Sequence, residues 1–307
     1  MLINLIKLES NKKYKGIILA GGNGSRLFPI TISSSKQLLP IYDKPMIFYP
    51  LSVLMMAGIR EISIITSIEF LPHFKNLLGN GEALGLEIKY TIQKNPNGIA
   101  EAFILEEDFI ENDNAALILG DNIFYGKDFS ALLKKSSSNQ HGATIFGCYV
   151  NDPERYGVVE FSRDGIVKNI EEKPASPKSN YAVTGLYFYD NSCVEKAKSL
   201  KPSSRGELEI TDLNNLFLEE KELYVETLSR GFTWLDTGTF DSLLEASQFI
   251  KIVQEKQGLK VACPEEIAFN LGWIDLNQIK EQAVKYKNNS YGQYLKNLIL
   301  NNENYKN

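Results

Sequence analysis

Residues 16–29, Gly16-Ile-Ile-Leu-Ala-Gly-Gly-Asn-Gly-Ser-Arg26-Leu-Phe-Pro29, decide the fold class of this 307-residue chain. The apolar run 16–20 is typical of a strand buried in a parallel sheet. It ends in Gly21, Gly22 and Gly24, which let backbone N–H groups converge on an anion because they lack a Cβ. A P-loop ending is absent, and Leu27 stands where a dinucleotide fingerprint has its third glycine. Arg26 is suited to bidentate phosphate contact, so the stretch predicts a phosphate-binding loop; the alternative is a plain glycine turn.

Composition limits the classes of function. The net charge of −5 argues against a nucleic-acid-binding protein, whereas an anionic small substrate needs only local cations. The three cysteines are widely spaced, which indicates neither a disulfide framework nor a zinc site and favours a reducing, cytoplasmic setting. Two histidines leave little material for triads or histidine-based metal sites. Since no apolar run reaches ~18 residues, we expect no membrane span.

Short apolar runs alternate with amphipathic ones through the first half of the chain. Strands are predicted at 62–66, 86–92 and 115–119, and helices at 46–57, 70–78 and 99–109. This alternation indicates βαβ units around a mostly parallel sheet. Ligands of such sheets bind beyond the carboxyl ends of the strands, where the glycine loop lies.

The second half of the chain is more mixed. Strands are predicted at 143–150, 157–161, 183–189 and 224–227, with a helix at 208–220. From Phe240 the pattern is helical, with one helix closed by Gly258 and two or three more through residue 300.

Two aspartates are candidate metal ligands. Asp121 follows the predicted strand 115–119 and a glycine, at the expected ligand edge of the sheet. Mg²⁺ prefers one or two carboxylates together with phosphate oxygens, so Asp121 and Asp236 could form one site. The alternative for each is a capping role, for Asp236 at the helix that begins near Phe240.

Other charged residues give weaker signals. Lys36 soon follows the glycine loop and is a candidate second phosphate cation. The pair Glu172-Lys173 places an acceptor beside a cation, which could grip a sugar hydroxyl and its phosphate. Segment 205–212 is interpreted as a polar helix start with a structural role.

Together these motifs resemble a known family. They occur in the order found in bacterial sugar-nucleotide pyrophosphorylases, over about residues 15–297. Segment 35–45 is more similar to members that transfer thymidylyl groups than to members that use UTP. The matching segments are 16–29, 35–45, 119–122, 156–160, 171–174, 180–185, 206–212 and 234–238.

The resemblance implies a reaction. Family members transfer a thymidylyl group from dTTP to α-D-glucose 1-phosphate with Mg²⁺, giving dTDP-glucose and pyrophosphate, which begins dTDP-deoxysugar synthesis such as that of rhamnose. The sugar-phosphate oxygen attacks the α-phosphorus in line, so the enzyme needs positioning and charge neutralisation rather than a nucleophilic triad. The alternatives are UTP or another hexose 1-phosphate as substrate, and a non-catalytic nucleotide-sugar-binding subunit.

The resemblance also implies roles for individual residues. Those that would bind the nucleotide are Gly21, Gly22, Gly24, Ser25, Arg26, Lys36, Gln37, Gln93 and Gly98. Those that would contact the sugar or its phosphate are Asn122, Gly157, Glu172, Lys173 and Val183. Arg26, Lys36, Lys173, Asp121 and Asp236 would be the catalytic set, with both aspartates on Mg²⁺. The chain departs from close relatives at Glu101, where they usually have glutamine.

The implied architecture is a Rossmann-like α/β nucleotidyltransferase with a mostly parallel central sheet, a smaller mixed β sugar-binding part and a helical C-terminal region. We expect an N-terminal extension at 1–15, a catalytic domain at 16–240 (nucleotide-binding part about 16–140, sugar-binding part about 141–240), helices at 241–300 and a tail at 301–307. The resemblance further implies a homotetramer inhibited by dTDP-rhamnose at a second site, with candidate segments 125–126, 230–231 and 263–266.

Overall fold

A computed structural model of the chain describes residues 12–22 and 24–304. The predicted N-terminal extension up to residue 11, Asn23 of the glycine loop and residues 305–307 of the predicted tail lie outside the described residues.

Strands and helices alternate through the first half of the chain, as the hydrophobic pattern predicts. The strands are β1 (Tyr14–Ala20), β2 (Pro40–Ile41), β3 (Lys44–Pro45), β4 (Glu61–Thr66), β5 (Glu87–Ile92), β6 (Asn114–Leu119), β7 (Asn122–Tyr125), β8 (Ala143–Tyr149), β9 (Gly157–Phe161), β10 (Val167–Glu172), β11 (Tyr181–Tyr189), β12 (Leu223–Thr227) and β13 (Thr233–Asp236). The helices are α1 (Phe48–Met56), α2 (Leu71–Leu78), α3 (Glu101–Leu105), α4 (Glu107–Ile110), α5 (Phe129–Ser138), α6 (Cys193–Ser199), α7 (Ile210–Glu219), α8 (Phe240–Gln257), α9 (Pro264–Asn270), α10 (Leu276–Lys285) and α11 (Ser290–Asn304).

A mixed sheet forms the centre of the described chain. Strands β5, β4, β1 and β6 lie side by side in parallel, which confirms the predicted parallel centre. Strand β11 then runs antiparallel to β6 and pairs with β8 and β9 in the second half. Ile17 and Ile18 are fully buried and belong to two different apolar clusters, because successive residues of a strand face opposite sides of the sheet.

The carboxyl ends of β1 and β6 lie next to each other. Leu19 pairs with Leu119, so the glycine loop and Asp121 leave the sheet at one edge. Gly120 allows this close approach: a Cβ atom there would lie 2.8 Å from Cγ of Gln37 and 2.9 Å from the carbonyl oxygen of Leu19.

The structure differs from the predicted pattern at several boundaries, and three of these differences have a clear physical cause. The single helix predicted at 99–109 is two short helices that break at Glu106, whose buried carboxylate accepts a hydrogen bond from Ser63 Oγ at 2.7 Å. Strand β1 begins at Tyr14, inside the predicted extension. The tail predicted from residue 301 is helical through Asn304, because α11 packs Leu295 and neighbouring apolar residues into the core.

The C-terminal helices close over the parallel half of the chain. Helix α8 is capped by Thr239, which accepts a hydrogen bond from the Ser242 backbone N–H at 3.2 Å, and it ends at Gly258 as predicted. Thr239 therefore performs the capping role considered for Asp236. Helices α9 to α11 follow, and the described helices include none that is long and apolar enough to cross a lipid bilayer.

Candidate active site

A cleft of about 440 Å³ opens at the carboxyl ends of the central strands, and we call it the strand-end cleft. Its wall joins residues that are far apart in the sequence. The predicted site residues that line it are Arg26, Asp121, Asn122, Gly157, Glu172, Lys173, Val183 and Asp236. The other predicted residues lie in the glycine loop or in segments 36–37 and 93–98. We call residues 21–26, 36–37 and 93–98 the loop side, and Arg26 lies at the boundary between the loop side and the strand-end cleft.

The glycine loop directs Arg26 towards Asp236. Gly24 has a left-handed φ of 60°, and its carbonyl oxygen accepts hydrogen bonds at 2.8 Å from the Leu27 backbone N–H and from the Thr31 hydroxyl. Across the cleft, a Cβ atom at Gly238 would lie 3.3 Å from both terminal nitrogens of Arg26 and from Oδ2 of Asp236. The absent side chain of Gly238 therefore leaves room for the guanidinium group.

Gly22 and Ser25 are exposed at the surface of the loop, whereas Gly21 is buried. An exposed glycine and serine beside a turn leave backbone N–H groups open to an anion, as a phosphate-binding loop requires.

Lys36 and Asp121 form a buried ion pair. Lys36 Nζ donates a hydrogen bond to Asp121 Oδ2 at 2.5 Å, and the Lys36 side chain is 7% exposed. Burial alone would raise the pKa of Asp121, but the charge and hydrogen bond of Lys36 outweigh it and hold that pKa below its ordinary value. Asp121 is thus ready to act as an ionised ligand.

The pKa of Asp236 is shifted in the opposite direction. Burial, followed by the negative charge of Asp121, raises the pKa of Asp236, and nearby cations such as Lys36 and Arg26 offset this only in part. No group of three or more His, Cys, Asp or Glu side chains able to hold a metal occurs in the described residues. A cation bound by these two carboxylates would therefore take its remaining oxygen ligands from a substrate or water, which is the usual arrangement for Mg²⁺.

Asn122 supports Asp121 through its whole amide group. Its Oδ1 accepts hydrogen bonds from the Gly185 backbone N–H at 3.0 Å and from Trp234 Nε1 at 2.6 Å. Its Nδ2 donates to Asp121 Oδ1 at 3.1 Å, and the residue is 2% exposed. The contact between Asn122 and glucose stays a prediction. The sequence analysis gave Trp234 no role, although a buried indole N–H needs an acceptor and could have indicated one.

Gly157, Glu172 and Val183 meet on one side of the strand-end cleft. Glu172 Oε2 accepts a hydrogen bond from Thr211 Oγ1 at 2.6 Å. A Cβ atom at Gly157 would lie 3.4 Å from the same oxygen and 3.7 Å from Cγ2 of Val183. Lys173 has a left-handed φ of 45°, which is uncommon for a residue with a side chain.

Two arginines of the cleft were not singled out by the sequence. Arg205 Nη2 donates to Glu209 Oε2 at 2.7 Å and lies 3.4 Å from Glu172 Oε1, so the structural interpretation of segment 205–212 missed a second cation near Lys173. Arg155 lies 3.7 Å from Asp236 Oδ2. The local patterns around these residues did not predict a place in the cleft, because their contacts with Glu172 and Asp236 are made through the tertiary fold.

The remaining residues of the loop side are Gln37, Gln93 and Gly98, of which Gln93 lies against the glycine loop. A Cβ atom at Gly21 would lie 2.3 Å from Oε1 of Gln93, and Gln37 Oε1 accepts a hydrogen bond from Ser35 Oγ at 2.7 Å. Gly98 has a φ of 112°, and a Cβ atom there would lie 2.4 Å from the Leu208 carbonyl oxygen, so only glycine fits.

A second cleft of about 640 Å³ contains part of the predicted regulatory site. Tyr125 and Gly126 line it together with residues 257 and 259–262. Cys263 and Glu265 are buried beside it, where Glu265 Oε2 accepts a hydrogen bond from the Tyr291 hydroxyl at 2.6 Å. Arg230 and Gly231, which belong to another predicted regulatory segment, do not line this cleft.

The fold and the cleft define a class of protein that the comparisons identify. Residues 15–252 match the family model described as nucleotidyl transferase. The chain belongs to the nucleotidyl transferase family, which confirms the class implied by its motifs.

Similar proteins narrow the class further. A glucose-1-phosphate thymidylyltransferase of Neisseria meningitidis serogroup A is 58% identical over 93% of this chain and 99% of its own length. One of Mycobacterium tuberculosis is 53% identical over 94% of this chain and its full length. A solved chain of Bacillus anthracis, provisionally assigned as a glucose-1-phosphate thymidylyltransferase and bound to sucrose, has a TM-score of 0.72 and 44% identity, covering 77% of this chain and 94% of that one.

A solved UDP-glucose pyrophosphorylase in complex with UDP-glucose has a TM-score of 0.69 and 27% identity, covering 80% of this chain and all of that one. The predicted resemblance to sugar-nucleotide pyrophosphorylases is therefore confirmed.

Proposed function

We propose that this chain transfers a thymidylyl group from dTTP to α-D-glucose 1-phosphate. An oxygen of the sugar phosphate forms a bond to the α-phosphorus, the bond from that phosphorus to the bridging oxygen breaks, and pyrophosphate leaves with dTDP-glucose as the product. The observation that carries the proposal is the meeting of Arg26, Asp121, Lys173 and Asp236 in one cleft of a chain 58% identical to a glucose-1-phosphate thymidylyltransferase.

The loop side would bind the nucleotide. Backbone N–H groups of residues 21–25 and the side chain of Arg26 would hold the triphosphate, with Lys36 beside them. Negative charge grows on the departing pyrophosphate during the reaction, so Arg26 would contribute more in the transition state than in the ground state. Gln93 and Gly98 would contact thymine, and Gln37 would lie near the deoxyribose.

Asp121 and Asp236 fit a bound Mg²⁺. They are two half-buried carboxylates whose mutual repulsion helps to raise the pKa of Asp236, and a divalent cation between them would relieve that repulsion. When bound there, Mg²⁺ would neutralise charge on the α-phosphate. Asn122 and Trp234 would keep Asp121 in the orientation that this contact requires.

The sugar phosphate would occupy the opposite end of the strand-end cleft. Glu172, Gly157 and Val183 would contact glucose, because the carboxylate can accept hydrogen bonds from sugar hydroxyl groups and the absent side chain of Gly157 leaves space for the ring. Lys173 and Arg205 would bind the phosphate, since both cations lie within 4 Å of Glu172 Oε1 and line the same wall.

The finer organisation is part of the proposal. We place the nucleotide-binding part at about 16–140 and the sugar-binding part at about 141–240, and we expect a homotetramer. The cleft beside Tyr125 and Gly126 would bind a downstream nucleotide sugar such as dTDP-rhamnose as an inhibitor. Light scattering with and without that compound, paired with initial rates, tests both points; a monomer with purely competitive inhibition would refute them.

A panel assay tests the reaction itself. Pyrophosphate release is measured for dTTP, UTP and dCTP, each with glucose, galactose and mannose 1-phosphate. We expect dTTP with glucose 1-phosphate to give the highest kcat/KM. A preference for UTP would instead favour the uridylyl reaction. The similarity to a UDP-glucose pyrophosphorylase supports this alternative. Absence of pyrophosphate release from every pair would overturn the proposal.

A further inference from the structure

Three hydrogen bonds converge on the carboxylate of Glu101 at the start of α3. Its Oε2 accepts from Gln93 Nε2 at 2.7 Å and from the Asn97 backbone N–H at 3.3 Å. Its Oε1 accepts from Asn97 Nδ2 at 2.7 Å. Glu101 therefore holds both the side chain of Gln93 and the loop that leads to Gly98.

The Glu101 carboxylate fixes the orientation of the Gln93 side-chain amide. An ionised carboxylate accepts hydrogen bonds and donates none, so the end of Gln93 that faces Glu101 must be its NH₂ group. Gln93 is 5% exposed, and turning its amide over would set a carbonyl oxygen against a carboxylate in a buried position. Its Oε1 is therefore held at the other end, against Gly21 at the start of the glycine loop.

We propose that Glu101 is a positioning residue that makes this site selective for pyrimidines with an N–H group at ring position 3. Thymine and uracil carry that N–H and can donate to Oε1 of Gln93. Cytosine carries a lone pair at the same position and would face an acceptor. The inference rests on the proposed function, because it takes Gln93 as a residue that contacts the base.

The mismatch sets the size of the expected effect. Two acceptors facing each other leave a buried polar group unpaired, which reduces kcat/KM by a factor of roughly 10² or more in sites built around hydrogen bonds. Without Glu101 the Gln93 amide can turn over and donate to cytosine, so the discrimination should weaken. Thymine and uracil are treated alike by this contact, and it predicts no change in their relative use.

The experiment compares kcat/KM for dTTP and dCTP in the wild type and in Glu101→Ala. We expect the dTTP/dCTP ratio to fall by about 10-fold or more in the variant, with an unchanged KM for glucose 1-phosphate. Glu101→Gln keeps an oxygen that can accept from Gln93 and should retain most of the ratio. Glu107→Ala is the matched control, since Glu107 is on the next helix and pairs with Lys198 at the surface.

The outcomes separate the two proposals. A wild type that releases no pyrophosphate from dTTP would overturn the proposed function. A wild type active with dTTP, together with a folded Glu101→Ala whose ratio equals that of the wild type, would overturn the inference alone. If Glu101→Ala does not fold, Glu101→Met decides the point because it keeps the length of the side chain and removes its acceptor oxygens: its dTTP/dCTP ratio should fall, and an unchanged ratio would refute the positioning role of Glu101.

Discussion

The loop side and the strand-end cleft are held in place by different kinds of contact. In the glycine loop, contacts between neighbours in sequence hold the turn at Gly24 that presents Arg26. In the cleft, Asn122 is held by Gly185 and Trp234, which are 63 and 112 residues away along the chain. The proposed phosphate contacts of Arg26 thus depend on local backbone geometry, whereas the proposed sugar and metal contacts depend on the packing of distant strands.

The largest effect is expected where the two regions meet. Asp121→Asn and Asp236→Asn should each reduce turnover by a factor of ~10² or more, because each removes one carboxylate of the proposed Mg²⁺ site, which would neutralise charge on the α-phosphate. Initial rates across a Mg²⁺ titration measure this, with Asp241→Asn on the exposed start of α8 as the control. Near wild-type rates at limiting Mg²⁺ in both variants would remove the aspartates from the metal site.

Removing the Arg26 side chain from the loop side should lower kcat more than it weakens binding of the sugar phosphate. Arg26→Ala is expected to lower kcat by about 30-fold, since its proposed contact strengthens as pyrophosphate departs. Steady-state kinetics with both substrates varied give the two parameters. A raised KM for glucose 1-phosphate at unchanged kcat would contradict the assignment.

Removing a cation from the strand-end cleft should raise the KM for glucose 1-phosphate more than it lowers kcat. Lys173→Ala and Arg205→Ala should each raise the KM for glucose 1-phosphate by about 10-fold, because each removes one charge-assisted phosphate contact. The KM for dTTP serves as the internal control in the same experiment. If Arg205→Ala leaves the sugar-phosphate KM unchanged while Lys173→Ala raises it, Arg205 only supports Glu209.

Trp234→Phe tests the long-range support of Asp121. The change keeps the ring and removes the indole N–H that bonds Asn122, which should lower kcat about 5-fold, as expected for the loss of roughly 1 kcal/mol. We expect a higher Mg²⁺ concentration for half-maximal rate, measured by titration. Trp273→Phe is the control for loss of the other tryptophan. An unaltered Mg²⁺ dependence would mean that Gly185 alone holds Asn122.

A separate effect concerns stability rather than activity, and the two aspartate substitutions should change the free energy of unfolding in opposite directions. The folded pKa of Asp236 is raised, so its ionisation opposes folding and stability falls as pH rises through that pKa. The folded pKa of Asp121 is lowered, so its ionisation favours folding and that stability is lost as pH falls through the lowered value.

At neutral pH without added metal, Asp236→Asn should therefore raise the free energy of unfolding by about 1 kcal/mol, and Asp121→Asn should lower it by about 2 kcal/mol because Lys36 loses its partner. Denaturant unfolding at pH 7 measures both. Changes of the same sign in the two variants would contradict the opposed pKa shifts.

Much of the fold could be predicted from the sequence, and the reason is periodicity. Strands β1, β4 and β6 are apolar runs with defined ends, and the helix after Phe240 ends at a glycine, so both were found from residue order alone. The break between α3 and α4 could not be found in this way. It lies at Glu106, whose carboxylate accepts a hydrogen bond from Ser63 on β4, and residue order does not show this contact.

The sequence by itself determined the fold class and the family, and it predicted the phosphate-binding role of the glycine loop, because these depend on short segments in which neighbouring residues act together. Only the tertiary structure decided that Arg205 joins Lys173, that Asn122 and Trp234 hold Asp121, and that Glu101 orients Gln93. These are hydrogen bonds and ion pairs between side chains whose distance is set by the packed sheet and loops. A hydrogen bond is sensitive to a few tenths of an ångström, and residue order alone does not specify distance at that scale.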